Sequence, residues 1–215
     1  MLREKFKLFI FDLDGTLIDS QTDILNSVNH VRKNFNLPSL DLATVRSYIG
    51  DGANILVKKI FPDATDRELK KAFEDFKEYY LIHSVENTEV YPAIAEMLDK
   101  LKDRQKAVLT NKPEAISRRI LDELGIAKYF PVVWGGDTGP FKKPDPDPIH
   151  KILVRLRVKP QEAVLIGDGI NDIKAARSAG IKTVALGYGY SDRTKLIDLK
   201  PDYFANTPQE LLELI

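Results

Sequence analysis

The sequence contains no cysteine among its 215 residues, and this absence removes several kinds of chemistry at once. A chain without cysteine forms no disulfide, no thiolate metal site and no thiol nucleophile. Any catalytic or metal-binding group must therefore come from carboxylates, hydroxyls, amides, amines or histidines. The lack of disulfides also suits a reducing compartment, so we expect a cytoplasmic protein.

Net charge and long apolar runs are missing as well. The 32 Lys and Arg residues balance 32 Asp and Glu residues, and nucleic-acid binding usually needs a basic surface, so we expect no nucleic-acid partner. No apolar run approaches the ~18 residues of a membrane span. The charged start, Met1-Leu2-Arg3-Glu4-Lys5, is followed by too short an apolar run for a signal peptide. We therefore expect no membrane partner.

What is present fits an ordinary globular chain, with 43% hydrophobic and 30% charged residues. After Thr16 the apolar pattern becomes helical for about seventy residues. Ser20 with Asp23, and Thr65 with Glu68, have the spacing of helix capping boxes. The predicted helical faces comprise Ile24, Leu25, Val28, Val31 and Phe35; Leu42, Val45 and Ile49; Leu56, Val57 and Ile60; and Leu69, Ala72, Phe73, Phe76 and Tyr80.

From about Tyr91 onwards, predicted strands alternate with predicted helices, and Pro92 suits the first turn of a helix. Strands are predicted at 6–11, 107–110, 132–134, 163–166 and 183–186. This alternation is typical of a doubly wound, Rossmann-like α/β fold with a parallel sheet. The helical stretch leaves this core after the first strand. We therefore predict a catalytic core of residues 1–16 plus 86–215 and an inserted all-helical cap domain of residues 17–85.

Polar side chains follow the predicted strands where each strand ends. In chain order they are Asp12 and Asp14, then Thr110, Asn111 and Lys112, then Lys142 and Lys143 in a later loop, then Asp168 and Asp172. Strand ends meet at one edge of a parallel sheet, where open α/β folds bind ligands. Taken singly, each residue has an ordinary alternative, such as a turn, a helix cap or a solvated linker. Their joint placement favours a site for magnesium and a phosphate.

With these residues the sequence resembles haloacid dehalogenase-superfamily phosphohydrolases. The segment from Asp12 to Leu17 is similar to the first family motif, Thr110-Asn111 to the second, Lys143-Pro144 to the third, and Gly167-Asp168 with Asp172 to the fourth. The likeness extends to the phosphoglycolate phosphatase branch. It includes Gly15 to Ser20, Ile49 to Ala53, Thr110 to Pro113, Gly135-Gly136-Asp137, Lys143 to Pro148 and Gly187-Tyr188-Gly189-Tyr190.

The resemblance implies two roles for the Asp-x-Asp pair. Asp12 would attack phosphorus and form an aspartyl-phosphate. Asp14 would protonate the leaving alkoxide and then deprotonate the water that hydrolyses the intermediate. Mg²⁺ would be held by Asp12, the Asp14 main-chain carbonyl and Asp168.

The same resemblance assigns the phosphate contacts. Lys143 would neutralise the phosphoryl oxygens, while the Thr110 hydroxyl and the Asn111 amide would bind them. Asp172 would orient Lys143 or a metal-bound water.

Substrate choice is expected to come from the cap. Gly50-Asp51-Gly52 precedes a helix whose N-terminal amides favour anions. We predict that this loop reaches the site and meets a substrate carboxylate, with Arg46 or Lys58 nearby. An ordinary inter-helix turn is the alternative.

The interpretation is a magnesium-dependent phosphatase acting on a small phosphorylated metabolite, with 2-phosphoglycolate as the leading substrate and a monomer or homodimer as the assembly. Pyrophosphatase, sugar-phosphate phosphatase and β-phosphoglucomutase activities remain open. A dehalogenase is disfavoured, because carbon–halogen displacement does not require the proton-transfer group at Asp14. A receiver-type phospho-acceptor domain is a more remote alternative, against which the helical insert counts. The intact acids at 12, 14 and 168 argue against an inactive scaffold.

Overall fold

A parallel sheet of six strands lies at the centre of the computed structural model, which describes residues 1–215. The strands in chain order are β1 (Leu8–Phe11), β2 (Ile18–Asp19), β3 (Glu89–Val90), β4 (Gln105–Leu109), β5 (Val132–Trp134), β6 (Ala163–Gly167), β7 (Lys182–Leu186) and β8 (Tyr203–Ala205). The sheet has the order β5-β4-β1-β6-β7-β8 with every neighbouring pair parallel, which confirms the predicted α/β core.

Strand β1 is the buried centre of this sheet, because every one of its side chains is apolar. Phe9 and Phe11 belong to one hydrophobic cluster, whereas Leu8 and Ile10 belong to a second cluster on the opposite face. In the register of the sheet, Phe11 is the last β1 residue, with β4 on one side and β6 on the other. The residue that follows, Asp12, therefore emerges beside two other strand ends.

Helices cover both faces of the sheet. They are α1 (Leu2–Lys5), α2 (Gln21–Asn34), α3 (Leu42–Arg46), α4 (Ala53–Ile60), α5 (Asp66–His83), α6 (Ile94–Lys100), α7 (Glu114–Glu123), α8 (Asp147–Leu156), α9 (Ile170–Ser178), α10 (Arg193–Asp198) and α11 (Pro208–Leu214). Apolar side chains of α6, α7 and α11 share the cluster of Phe9, while those of α8 and α9 share the cluster of Leu8. No helix is long and apolar enough to cross a membrane.

The inserted cap consists of helices α2 to α5. Side chains such as Val28 and Val31 of α2 and Phe76 and Tyr80 of α5 are fully buried. The antiparallel pair of β2 and β3 lies where the chain leaves the core and returns to it. The cap confirms the predicted fold class, while the exact division at 16/17 and 85/86 stays a prediction.

The predicted capping box at Ser20 and Asp23 is wrong, although the box at Thr65 and Glu68 is confirmed. Ser20 makes no capping hydrogen bond with its side chain. Its hydroxyl donates instead to Asp14, and the buried Asp23 carboxylate accepts hydrogen bonds from residues near β3. Ser20 is engaged by the charged Asp14, and Asp23 by several donors of Asn87 and Thr88, so neither side chain caps the helix.

The sequence pattern did not predict five short elements, α1, β2, β3, α10 and β8, none of which is longer than six residues. Pro92 is also not in a first helical turn, because α6 begins at Ile94 after Ala93, which has a left-handed φ of 64°. Such short segments carry too little periodicity to be recognised, since tertiary contacts decide their conformation.

Candidate active site

A cavity of about 760 Å³ opens at the carboxyl edge of the sheet, between the core and the cap. Every site residue predicted from the sequence lines it, with the exception of Lys58. From the core these are Asp12, Asp14, Thr110, Asn111, Lys143, Asp168 and Asp172, and from the cap they are Arg46, Gly50, Asp51 and Gly52. Their placement together agrees with the strand-end pattern, while their individual roles stay predictions.

Lys143 is buried between two carboxylates. Its Nζ lies 2.8 Å from Oδ1 of Asp12 and 2.6 Å from Oδ1 of Asp172. Burial lowers the pKa of Lys143, but the two carboxylates outweigh that effect and raise its pKa above the usual value. The lysine is therefore a fixed positive charge at the end of β1.

Asp12 stands at the centre of this arrangement. Its Oδ1 accepts a hydrogen bond from the Leu13 amide at 2.7 Å and lies 2.8 Å from Lys143 Nζ, whereas Oδ2 has no protein hydrogen bond. Burial raises the pKa of Asp12 to about 7, and the attraction of Lys143 only partly opposes this rise. A positive charge near Oδ2 would favour the ionised carboxylate that a nucleophile requires.

Asp168 follows β6 and is held from two sides. Its carboxylate accepts a hydrogen bond from the Thr16 hydroxyl at 3.1 Å and another from the Tyr190 amide at 2.7 Å. Burial raises the pKa of Asp168 to about 8, and the nearby carboxylates of Asp12 and Asp172 add to the rise. Asp12 and Asp168, which both have a raised pKa, would ionise more readily if a further cation lay between them.

The donor set fits a hard divalent cation. Asp12, Asp168 and Asp172 each offer a carboxylate oxygen, and these oxygens lie within 4.8 Å of one another. Carboxylate oxygens are the protein ligands that Mg²⁺ prefers. The Asp14 side chain is not part of this cluster, so its predicted contribution to a metal site would have to come from its main-chain carbonyl.

Close packing against Asp168 explains the glycine after the Asp-x-Asp pair. Gly15 has a φ of +73°, and a Cβ atom built on it would lie 2.4 Å from Oδ2 of Asp168. A side chain at this position would be strained and would displace the acid. Gly15 thus turns the chain towards the cap and leaves room for the carboxylate cluster.

The side chain of Asp14 binds Lys112, which the sequence places after the second predicted core strand but to which no role was assigned. Nζ of Lys112 lies 2.6 Å from Oδ1 of Asp14 and donates at 2.5 Å to the Tyr80 hydroxyl of α5. The Ser20 hydroxyl donates to the same carboxylate. Burial lowers the pKa of Lys112, although Asp14 opposes the change. The position of Lys112 directly after Thr110-Asn111 was the only sequence signal for it.

The side chains that follow β4 make different contacts from those predicted. Thr110 is buried, and its hydroxyl oxygen accepts from the Lys112 amide at 3.2 Å. The Asn111 Nδ2 donates at 2.9 Å to both the Gly50 and the Lys143 carbonyls. Since both neighbours are acceptors, Asn111 directs its side-chain nitrogen towards them. Its Oδ1 atom has no hydrogen-bond partner. The predicted phosphate contact of the Asn111 amide would require these bonds to rearrange.

The cap loop reaches the core, as expected. Asp51 accepts from the Lys142 Nζ at 2.6 Å through its carbonyl and from the Asn171 Nδ2 at 3.0 Å through its side chain. Gly52 has a φ of +91°, and a Cβ there would lie 2.9 Å from the Asn111 carbonyl oxygen. The loop thus fits closely against the core, and its contact with a substrate carboxylate stays a prediction.

Arg46 joins the cap to the segment that follows β7. Its Nη2 donates at 2.6 Å to the Gly189 carbonyl, and its guanidinium lies 5.5 Å from the Tyr190 ring centre. The Tyr190 hydroxyl donates at 3.0 Å to Asp19 in β2. Lys58, in contrast, does not line the cavity.

Comparison with known proteins agrees with this architecture. The family model for haloacid dehalogenase-like hydrolases matches residues 9–186, so the chain belongs to that family. It is similar to the phosphoglycolate phosphatase of Chromobacterium violaceum, with 36% identity over 97% of this chain and 96% of the relative. It is also similar to the phosphoglycolate phosphatase of Aquifex aeolicus, with 37% identity over 97% of this chain and 96% of the relative.

Among solved structures, a protein from Haemophilus somnus described as a predicted phosphoglycolate phosphatase superposes with a TM-score of 0.93. It is 34% identical, and 98% of each chain is covered. The likeness therefore includes the cap as well as the core.

Proposed function

We propose that this protein is a magnesium-dependent phosphatase of small phosphate monoesters and that its principal substrate is 2-phosphoglycolate. The observation that carries the proposal is the buried Lys143 between Asp12 and Asp172 at the edge of the carboxylate cluster. A fixed cation beside an acid with one free oxygen suits attack on an anionic phosphate. The relatives named phosphoglycolate phosphatase supply the substrate.

In the first step, Oδ2 of Asp12 attacks phosphorus while the bond to the ester oxygen breaks. Oδ2 of Asp12 has no protein hydrogen bond, since Lys143 and the Leu13 amide both contact the other carboxylate oxygen, Oδ1. Lys143 then faces both the nucleophile and the charge on the phosphoryl group. An aspartyl-phosphate forms and divides one difficult displacement into two easier ones.

Asp14 handles the protons in both steps. It donates a proton to the leaving alkoxide and later takes one from the water that hydrolyses the aspartyl-phosphate. Its contacts with Lys112 and Ser20 hold the carboxylate away from the Asp12–Asp168 cluster. The two acids of the Asp-x-Asp pair therefore have different partners and separate roles.

Asp12, Asp168 and the Asp14 main-chain carbonyl would hold Mg²⁺, with the Asp172 carboxylate close by. The ion would supply positive charge that lets the anionic nucleophile approach an anionic phosphate. Lys143 and the Thr110 hydroxyl would bind the remaining phosphoryl oxygens. The cap, held by Asn111 and Arg46, would exclude water from the reacting atoms.

A panel of phosphate esters tests this function. Purified protein is assayed for phosphate release from 2-phosphoglycolate, pyrophosphate, a sugar phosphate and β-glucose 1-phosphate, each with Mg²⁺ and with chelator. We expect the largest kcat/KM for 2-phosphoglycolate and no release with chelator. A larger kcat/KM for another compound would replace 2-phosphoglycolate as the proposed substrate. If none of the compounds gave Mg²⁺-dependent phosphate release, the proposed phosphatase activity would be overturned.

A further inference from the structure

Lys112 is the buried cation on the side of the cavity where the leaving group would lie. Its side chain is 4% exposed and is held between a catalytic acid of the core and a tyrosine of the cap. An ammonium group has three N–H donors, and here one points to Asp14 and one to Tyr80. One donor remains, and Lys112 lines the cavity.

We propose that Lys112 determines specificity by binding the carboxylate of a substrate that carries this group next to its ester oxygen. The inference rests on the proposed function and adds the residue that recognises the acid. The ester oxygen must lie within hydrogen-bond reach of Asp14 to receive its proton. Lys112 Nζ is only 2.6 Å from Asp14, so a carboxylate one methylene away from that oxygen is within its reach.

A buried lysine between two carboxylates is already found once in the same cavity. Lys143 lies between the carboxylates of Asp12 and Asp172. Lys112 would likewise lie between the Asp14 carboxylate and the substrate carboxylate. The Ser20 hydroxyl, which also donates to Asp14, helps to neutralise that acid and leaves Lys112 able to attract a second anion.

The other cations of the cavity suit this task less well. Lys143 has two carboxylate partners on the phosphoryl side. Arg46 donates to the Gly189 carbonyl and lies over the Tyr190 ring, at the cap boundary. Lys174 and Lys195 are exposed at the rim. Lys112 is the buried cation that directly contacts the proposed proton donor.

The cap contact makes this recognition dependent on substrate length. Tyr80 belongs to α5 and fixes Nζ at 2.5 Å, with the ammonium 4.5 Å from its ring centre. A cation held by both core and cap has little freedom to follow a carboxylate on a longer chain. We therefore expect preference for the shortest phosphorylated acid over its homologue with one more methylene.

The test compares Lys112→Met with wild-type enzyme on two esters, 2-phosphoglycolate and ethyl phosphate, which lacks the carboxylate. For Lys112→Met we expect kcat/KM on 2-phosphoglycolate to fall about 100-fold, because a buried charged hydrogen bond is lost. On ethyl phosphate we expect a fall at least about tenfold smaller, because the loss of the Lys112 contact with Asp14 affects both esters alike, whereas the loss of the carboxylate contact affects only one. Lys174→Met is the matched control, since it removes a cavity-rim charge without touching Asp14, and it should leave the ratio of the two esters unchanged.

If Lys112→Met lowers kcat/KM by the same factor for both esters, or changes it for neither, the proposed role of Lys112 is overturned while the phosphatase activity stands. A wild-type enzyme that does not prefer 2-phosphoglycolate would instead overturn the proposed substrate. If Lys112→Met does not fold, wild-type enzyme decides the question with 2-phosphoglycolate and 3-phosphooxypropanoate. We expect kcat/KM to fall at least tenfold for the longer acid, and equal values would contradict a fixed Lys112 contact.

Discussion

The side-chain amide of Asn111 donates to the carbonyl oxygen of Gly50 at 2.9 Å, and this hydrogen bond joins the end of β4 to the cap loop. The same nitrogen also donates to the Lys143 carbonyl, so one buried side chain connects the cap to the segment that carries Lys143, the lysine proposed to neutralise the phosphate. The position of the cap loop and that of Lys143 are therefore linked through Asn111.

Replacing Asn111 by leucine removes both donors at similar volume and should loosen the cap loop. We expect KM for 2-phosphoglycolate to rise about tenfold, as loss of a buried hydrogen bond implies. Amide hydrogen exchange of residues 50–52 should become faster in the variant. Asn171→Leu is the matched control, because Asn171 contacts the same loop at Gly50 and Asp51 but does not reach the Lys143 carbonyl, so its effect should be smaller. Unchanged exchange in Asn111→Leu would contradict the link.

Gly52→Ala tests the close fit of the cap loop against the core. The new methyl group would meet the Asn111 carbonyl oxygen at a φ that disfavours side chains. We expect kcat/KM for 2-phosphoglycolate to fall about tenfold or more because the cap cannot close fully. Gly125→Ala is the control, since Gly125 has a φ of +70° with no atom near its Cβ position. Equal activity of the two variants would show that backbone strain, and not loop contact, decides the effect.

The raised pKa of Asp168, about 8 in the folded protein, predicts how stability depends on pH without metal. The folded state holds this proton more tightly than the unfolded state does, since burial and two neighbouring acids disfavour its loss. The resulting stability is present at low pH and is lost as pH rises through about 8. In chelator, the free energy of unfolding should therefore fall between pH 6 and pH 8.

The matched variant for this prediction is Asp168→Asn, which cannot ionise. Its free energy of unfolding in chelator should depend less on pH over the same interval. Mg²⁺ should stabilise the wild-type protein more at pH 8 than at pH 6, because the cation replaces the lost proton. Parallel pH curves for the wild-type protein and the variant would contradict the assigned pKa.

We expect Asp23 to make a large contribution to the free energy of unfolding, because it lies where the cap joins the core. Its buried carboxylate accepts from the Asn87 amide, from Asn87 Nδ2 at 2.8 Å and from the Thr88 hydroxyl at 2.7 Å. Asp23→Ala would leave these donors unpaired and should lower the free energy of unfolding by about 3 kcal/mol. Ser27→Ala removes one neutral hydrogen bond of the same helix and should cost about 1 kcal/mol. Urea denaturation that gives equal losses would contradict this account of Asp23.

The sequence predicted most of the sheet because its strands are apolar and nearly continuous. The strand at 132–134 was located without error, and β1 differs only at its start. The helical cap was also predicted, since amphipathic periodicity extends over many residues. By contrast, β2 and β3 have two residues each, and only their pairing in the folded chain defines them.

The sequence predicted which core residues lie together at the edge of the sheet, but not the contacts that the cap makes with them. Strand ends bring Asp12, Lys143 and Asp168 together, so the topology alone was sufficient for them. The contact between Lys112 and Tyr80 could not be predicted, because Tyr80 lies in a cap helix and no sequence pattern indicates where that helix lies relative to the core. The amide of Asn111 likewise binds Gly50 because the cap loop reaches it.

Phosphate release by Asp12→Asn tests the central claim most directly. The variant keeps the size of the side chain but lacks the anionic oxygen that would attack phosphorus. With 2-phosphoglycolate and Mg²⁺, we expect turnover by the wild-type protein and a loss of at least about 1,000-fold in the variant, with unchanged circular dichroism. Turnover by a correctly folded Asp12→Asn protein at a rate near that of the wild-type enzyme would contradict Asp12 as the nucleophile.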